Sequence, residues 1–224
     1  MKTIGIIQAR MGSTRLPNKM MLCLHSYPII EWVVSRVLKS GLDDAVVAIP
    51  NTKDNDVLEK FLKKFDIRVF RGEQDNVLKR FYDAVRFLDP THIVRICADN
   101  PLIDPVEIDN LLDFYAKNSC DYAYNHIPKN NLYPDGLGAE ILSFDLFSWI
   151  YESVIFQKHK EHCLSYIWDN CDKIEIKTFD PKEDFLKRPD LKFDIDTFDD
   201  YYKLSMRDFD IDISSKEIIK IFGE

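Results

Sequence analysis

Thr3-Ile4-Gly5-Ile6-Ile7 runs directly into Gln8-Ala9-Arg10-Met11-Gly12-Ser13-Thr14-Arg15-Leu16-Pro17-Asn18-Lys19. The first stretch is a short apolar, β-branched run of strand length. The second is a loop: Pro17 excludes a regular helix interior, and Gly12, Ser13 and Thr14 are small and polar. Arg10, Arg15 and Lys19 place three cations on that loop. Small residues let backbone N–H groups approach an anion, Arg can fork onto a phosphate, and Lys supplies a compact charge. From charge alone, a solvated basic turn is equally compatible. The stretch lacks GxxxxGK[ST], which excludes a P-loop, and lacks GxGxxG, which argues against a dinucleotide site.

Working outward, apolar runs alternate with helical patterns. A helix is expected over 29–40, with Pro28 near its first turn and Gly41 just beyond it. Strands are expected at 45–49, 67–70 and 92–97, with amphipathic helices at 54–64 and 77–88 between them. Asp104-Pro105-Val106-Glu107 reads as a capped helix start. This β-α-β-α rhythm predicts an α/β domain with a mostly parallel sheet covered on both faces. Ligands then gather at the carboxyl ends of strands, which singles out the loops after Ile7, Cys97 and Ile195.

The second half is less regular. Strands are expected at 121–125, 139–142, 173–178 and 192–195, and helices at 146–155, 161–169, 197–206 and 216–222. Residues 180–190 read as a surface loop. The whole chain, 1–224, is expected to form one domain with an acceptor-site or dimerisation lobe near 120–145. Phe61, Phe65, Phe81, Tyr82 and Phe87 fall at helical spacings and are expected in the core.

The chain has 224 residues and a net charge of −8, with 46% apolar residues, which fits a soluble globular protein and argues against broad nucleic-acid binding. Five Cys without a CxxC pair point away from a disulfide framework and toward a reducing, cytoplasmic setting. The apolar stretch between Lys2 and Arg10 is too short for a signal-peptide core or a membrane span.

Two acidic segments sit at predicted strand ends: Asp99 in Ala98-Asp99-Asn100-Pro101, and Asp196 in Phe193-Asp194-Ile195-Asp196. Mg²⁺ favours one or two carboxylates completed by phosphate oxygens and water, so this pair with a triphosphate would suit it. A turn residue before Pro101 is the plainer reading of Asp99 alone. Asp194 would point to the opposite face from Asp196 in an extended segment. Asp104 reads as a helix cap, and Arg95, within a strand, as an ion-pair partner.

The string IIQARMGSTRLPNKMM at 6–21 resembles the opening signature of the cytidylyltransferases that activate acidic sugars, the acylneuraminate and 3-deoxy-manno-octulosonate enzymes. The resemblance continues through VFRGEQDNVLKRFYDA (69–84), IVRICADNPLIDP (93–105), YPDGLGAEILSF (133–144), KEHCLSYI (160–167) and FDIDTFDDY (193–201), and is nearest to the SpsF-like branch of spore coat polysaccharide biosynthesis. It implies a three-layer α/β/α nucleotidyltransferase fold of GT-A-like type. It further implies CMP transfer from CTP to an acidic or phosphorylated sugar with release of pyrophosphate, and a homodimer. It assigns catalysis to Arg10, Arg15 and Lys19. Nucleotide binding falls to Gln8, Ala9, Arg10, Gly12, Ser13, Arg15, Lys19, Arg71 and Asp99, Mg²⁺ to Asp99 and Asp196, and the acceptor to Asp135, Glu140, Glu161 and His162. Another nucleotide, a polyol-phosphate acceptor or a non-catalytic nucleotide-binding homologue remain as alternatives.

Overall fold

The computed structural model describes residues 2–223. Its strands are β1 (Thr3–Gln8), β2 (Cys23–Leu24), β3 (Tyr27–Pro28), β4 (Asp44–Pro50), β5 (Arg68–Gly72), β6 (His92–Cys97), β7 (Tyr122–Tyr124), β8 (Glu140–Ser143) and β9 (Ile176–Thr178). Its helices are α1 (Ile29–Val37), α2 (Asp56–Leu62), α3 (Val77–Val85), α4 (Pro105–Lys117), α5 (Phe144–Ser153), α6 (Gln157–Glu161), α7 (Ser165–Asp169), α8 (Phe198–Ser205) and α9 (Ser215–Phe222).

Seven strands form one sheet in the order β5-β4-β1-β6-β8-β7-β9. The β5-β4-β1-β6 half is parallel, β8 runs antiparallel to both β6 and β7, and β9 is parallel to β7. Segment 120–145 therefore feeds two strands into the main sheet.

Strand side chains alternate between two cores, as a period of two requires. Ile7, Val47, Val94, Ile96 and Ile141 pack with α1, α2, α4, α8 and α9. Ile4, Ile6, Val46, Ile93, Tyr122 and Leu142 pack with α3, α5 and α7. The result is a three-layer α/β/α architecture. Each fully buried Ile or Leu in these layers is worth about 1.5–3 kcal/mol relative to exposure.

Three expectations need correcting. Residues 192–195 are not a strand of the sheet; Lys192 forms one isolated parallel bridge with Asp135, outside the sheet strands. The helix expected over 161–169 is broken, because His162 leaves helical geometry (φ −104°, ψ 74°) between α6 and α7 while Cys163 and Leu164 turn inward. Phe87 is 78% exposed, since α3 ends at Val85 and the helical spacing no longer applies beyond it; Arg86 covers its ring instead.

Candidate active site

The loop after β1 is pinned from below by its apolar residues. Met11, Leu16 and Met20 are buried, which leaves Arg10 and Arg15 exposed above them. The Met11 N–H donates to Asn55 Oδ1 at 3.0 Å, and the Ser13 N–H to the Met11 carbonyl at 2.9 Å. Asn18 adopts the left-handed conformation (φ 59°) and starts a 3-10 turn, Lys19–Met21, that carries Lys19 inward to 7% exposure. Such a conformation suits Asn better than most residues.

The two acidic segments meet this loop. Ala98 N–H donates to the Gln8 carbonyl at 3.1 Å, which continues the strand pairing, and Ile195 N–H donates to the Asp99 carbonyl at 2.8 Å. Lys19 Nζ donates to the Ile195 carbonyl at 2.7 Å and to Asp99 Oδ2 at 3.1 Å, and lies 3.7 Å from Asp196 Oδ1. Arg15 Nη2 pairs with Asp196 Oδ1 at 2.8 Å. Asp196 is held by the start of α8. Thr197 and Asp200 form a reciprocal capping box, and Asp200 also accepts from the Asp196 N–H at 3.0 Å. Burial opposes the charge on Asp200, but the Thr197 hydroxyl and the Thr197 and Asp196 N–H groups hold its carboxyl below its usual value.

One cleft thus gathers Gln8, Arg10, Ser13, Arg15, Lys19, Asp99 and Asp196, together with Thr14, Met20, Arg95 and Cys97. Three of its cations come from one loop, the fourth, Arg95, stands on β6, and its carboxylates come from two other loops, at the carboxyl edge of β1 and β6. That charge arrangement suits a polyphosphate and a cation together.

The sequence from 4 to 133 matches the cytidylyltransferase family. The chain belongs to the cytidylyltransferase family. It is a nucleotidyltransferase, and relatives extend the match along the whole chain. A spore coat polysaccharide biosynthesis protein, SpsF, of Bacillus subtilis is 32% identical over 88% of this chain and 82% of its own. A 3-deoxy-manno-octulosonate cytidylyltransferase of Aeromonas salmonicida is 31% identical over 57% of this chain and 51% of its own. Among solved structures, a cytidylyltransferase from Leptospira borgpetersenii superposes with a TM-score of 0.88 at 27% identity, covering 100% of this chain and 94% of that one.

Not every predicted residue of this cytidylyltransferase reaches the cleft. Arg71 is tied to α2 by bonds of 2.7 Å to both Asp56 and Glu59, and donates to the Thr52 carbonyl. Ala9 is buried and its N–H is turned to the Ala48 carbonyl at 3.4 Å. Gly12 has room for a side chain: an added Cβ would meet its nearest neighbour, Asp54, at 3.7 Å.

The acceptor residues divide into two groups. Glu140, Glu161 and His162 line a second cavity with Gln8, Arg95, His126 and Trp168, so Gln8 and Arg95 belong to both cavities. Glu161 and His162 are exposed, whereas Glu140 is buried and engaged by Arg95 and by the Tyr122 hydroxyl. Burial opposes its charge, yet Arg95, His126 and Tyr122 hold its carboxyl below the ordinary value. Asp135 lies apart from these three, beside the other aspartates. Burial first, then Asp194, and then Asp99 and Asp196 push its carboxyl up to about 6, against the pull of Lys192.

Gly136 explains that placement. It has φ +91°, and a Cβ there would lie 2.8 Å from the Asp194 nitrogen, so only glycine lets this turn close on 193–194. The Asp194 cluster was hidden in the sequence, where alternation alone set Asp194 against Asp196. The Thr197–Asp200 capping box was legible as T-x-x-D before a helix.

Proposed function

We propose that this enzyme transfers CMP from CTP to an acidic or phosphorylated sugar and releases pyrophosphate, with Mg²⁺ held by Asp99 and Asp196. The observation that carries this reading is the convergence of Lys19 on both carboxylates, at 3.1 and 3.7 Å. Two aspartates already grip a cation there, and their oxygens are the hard donors that Mg²⁺ prefers. Among the described residues no three His, Cys, Asp or Glu side chains cluster closely enough to cage a metal alone. A pair of carboxylates completed by phosphate oxygens and water is the usual Mg²⁺ arrangement. Bound there, Mg²⁺ supplies Lewis-acid withdrawal of charge from the phosphates.

The chain's own residues do the rest. Arg10, Arg15 and Lys19 bind the phosphates and neutralise the charge that grows on the leaving pyrophosphate. An oxygen of the acceptor attacks the α-phosphate in line; the new P–O bond forms as the bond to the β-phosphate oxygen breaks. An acceptor oxygen that enters ionised needs no general base, and a hydroxyl passes its proton to solvent. The acceptor approaches from the second cavity, beside Glu161 and His162. The acidic-sugar class is supported by the 3-deoxy-manno-octulosonate relative, and a role in surface polysaccharide synthesis by the spore coat relative. The reaction is tested by pyrophosphate release with CTP, Mg²⁺ and a panel of acidic and phosphorylated sugars. Release with at least one acceptor is expected; a folded protein that releases none with any nucleotide and sugar overturns the reading.

A further inference from the structure

Four side chains on one face of the sheet form a chain of contacts. Arg95 of β6 stands opposite Glu140 of β8, and Ile6, two residues before Gln8 in β1, stands opposite Arg95 on its other side. Arg95 donates to Gln8 Oε1 from Nε at 3.1 Å and from Nη2 at 3.0 Å, and donates from Nη1 to Glu140. Glu140 accepts from Tyr122 as well and is 2% exposed, so it is spent on this network. A guanidinium has donors and no acceptor. Gln8 must therefore turn its carbonyl oxygen to Arg95; the flipped amide would set N–H against N–H. Both contacts with Arg95 use Oε1, and among the described residues the amide nitrogen makes no hydrogen bond. Gln8 lines both the phosphate cleft and the second cavity.

We propose that the Arg95–Glu140 pair is a positioning device for the Gln8 carboxamide, and that Gln8 Nε2 is the hydrogen-bond donor that selects an acceptor by an oxygen beside its reacting atom. The acceptor half of this inference rests on the reaction proposed above. The phosphates are served by three cations on the first loop. The acceptor must instead cross from the second cavity to the α-phosphate, and Gln8 stands on that seam. An amide that cannot flip offers hydrogens only. It favours a carboxylate or another oxygen with free lone pairs, and it penalises an acceptor that presents an ammonium or amide N–H there. Glu140 thereby becomes a buried support, and Gln8 becomes the residue that touches the acceptor.

The test combines steady-state kinetics and NMR. Gln8→Glu keeps the shape and the contact with Arg95 but replaces the donor by an oxygen. With CTP, Mg²⁺ and 3-deoxy-manno-octulosonate, or whichever panel sugar turns over, it should raise the acceptor KM about tenfold or more while the CTP KM changes less than about threefold. Arg95→Lys and Glu140→Gln should show the same split in weaker form; Arg95→Lys serves should Glu140→Gln fail to fold. A raised CTP KM with an unchanged acceptor KM overturns the inference. In ¹⁵N-labelled protein, the Gln8 side-chain amide, identified by its loss in Gln8→Leu, should be as rigid as the β1 backbone and should become mobile in Arg95→Lys. A Gln8 amide as mobile as those of exposed Gln74 and Gln157 in the wild-type protein also overturns it. Failure of every sugar to turn over would count against the proposed reaction, and the NMR result would then decide this inference by itself.

Discussion

The ammonium of Lys19 sits 3.1 Å from the Asp99 carboxylate, although the two are separated by 80 residues of chain. A cation from the first loop is thus held by an acid from the loop after β6, and the same ammonium bonds the Ile195 carbonyl next to Asp196. Lys19 is a tie between three loops, and in the proposed reaction it is also a charge for phosphate.

Lys19→Ala should remove both roles. The rate of pyrophosphate release is expected to fall by about 10²–10³, the usual cost of losing one preorganised charge donor at a reacting phosphate. A fall of less than threefold would show that Lys19 does not face the triphosphate.

Metal dependence should follow the two aspartates. Chelation by EDTA should abolish turnover, and Asp99→Asn and Asp196→Asn should each raise the Mg²⁺ concentration needed for half-maximal rate. CTP at 100 times its Kd should stabilise the wild-type protein by about 2.7 kcal/mol in a thermal shift, and only with Mg²⁺ present. Equal stabilisation without Mg²⁺ would contradict the assignment.

Asp135 gives a pH-dependent test. Burial and the neighbouring aspartates raise its carboxyl from 3.8 to about 6. The folded state then holds this proton more tightly than the unfolded chain does. Stability falls as pH rises through that window and stays lower above it. Asp135→Asn removes the buried charge. It should raise Tm at pH 7.5 by about 2–4 °C, corresponding to ~1 kcal/mol for a partly solvated group, and leave it nearly unchanged at pH 4. Equal shifts at both pH values would show that the charge is not the cause.

Gly136 should tolerate no side chain. Gly136→Ala meets both a positive φ and a backbone atom at 2.8 Å, so a loss of about 1–3 kcal/mol is expected in urea unfolding. Gly12→Ala, with open space around it, should change stability by less than about 0.5 kcal/mol.

Thiol reactivity should separate the cysteines. Cys23 and Cys171 are exposed and should alkylate quickly in the folded protein at pH 8. Burial pushes the Cys97 thiol up to about 12 and the Cys163 thiol up to about 11, so both should label slowly until the chain is denatured. Mass spectrometry after timed iodoacetamide treatment reads the difference.

The sequence by itself determined the α/β rhythm, the order of the first four strands of the sheet along the chain and the basic loop after the first. These features are local: strand and helix periodicities, caps such as Asp104 and turn residues such as Pro17 act within a few positions. The family strings also marked Asp99 and Asp196. What only the tertiary structure decided was which distant side chains share a partner. Arg71 reads as a nucleotide-binding residue, but α2 brings Asp56 and Glu59 to its guanidinium, and it does not line the cleft. Glu140 reads as a carboxylate available to a sugar, yet the antiparallel register of β6 and β8 sets it against Arg95 and buries it. Phe87 keeps an apolar identity but loses its place in the core because α3 stops two residues earlier. For Arg71 and Glu140 the deciding contact crosses from one element to another. Charge pairing and burial depend on that long-range geometry, which residue type and local spacing do not encode.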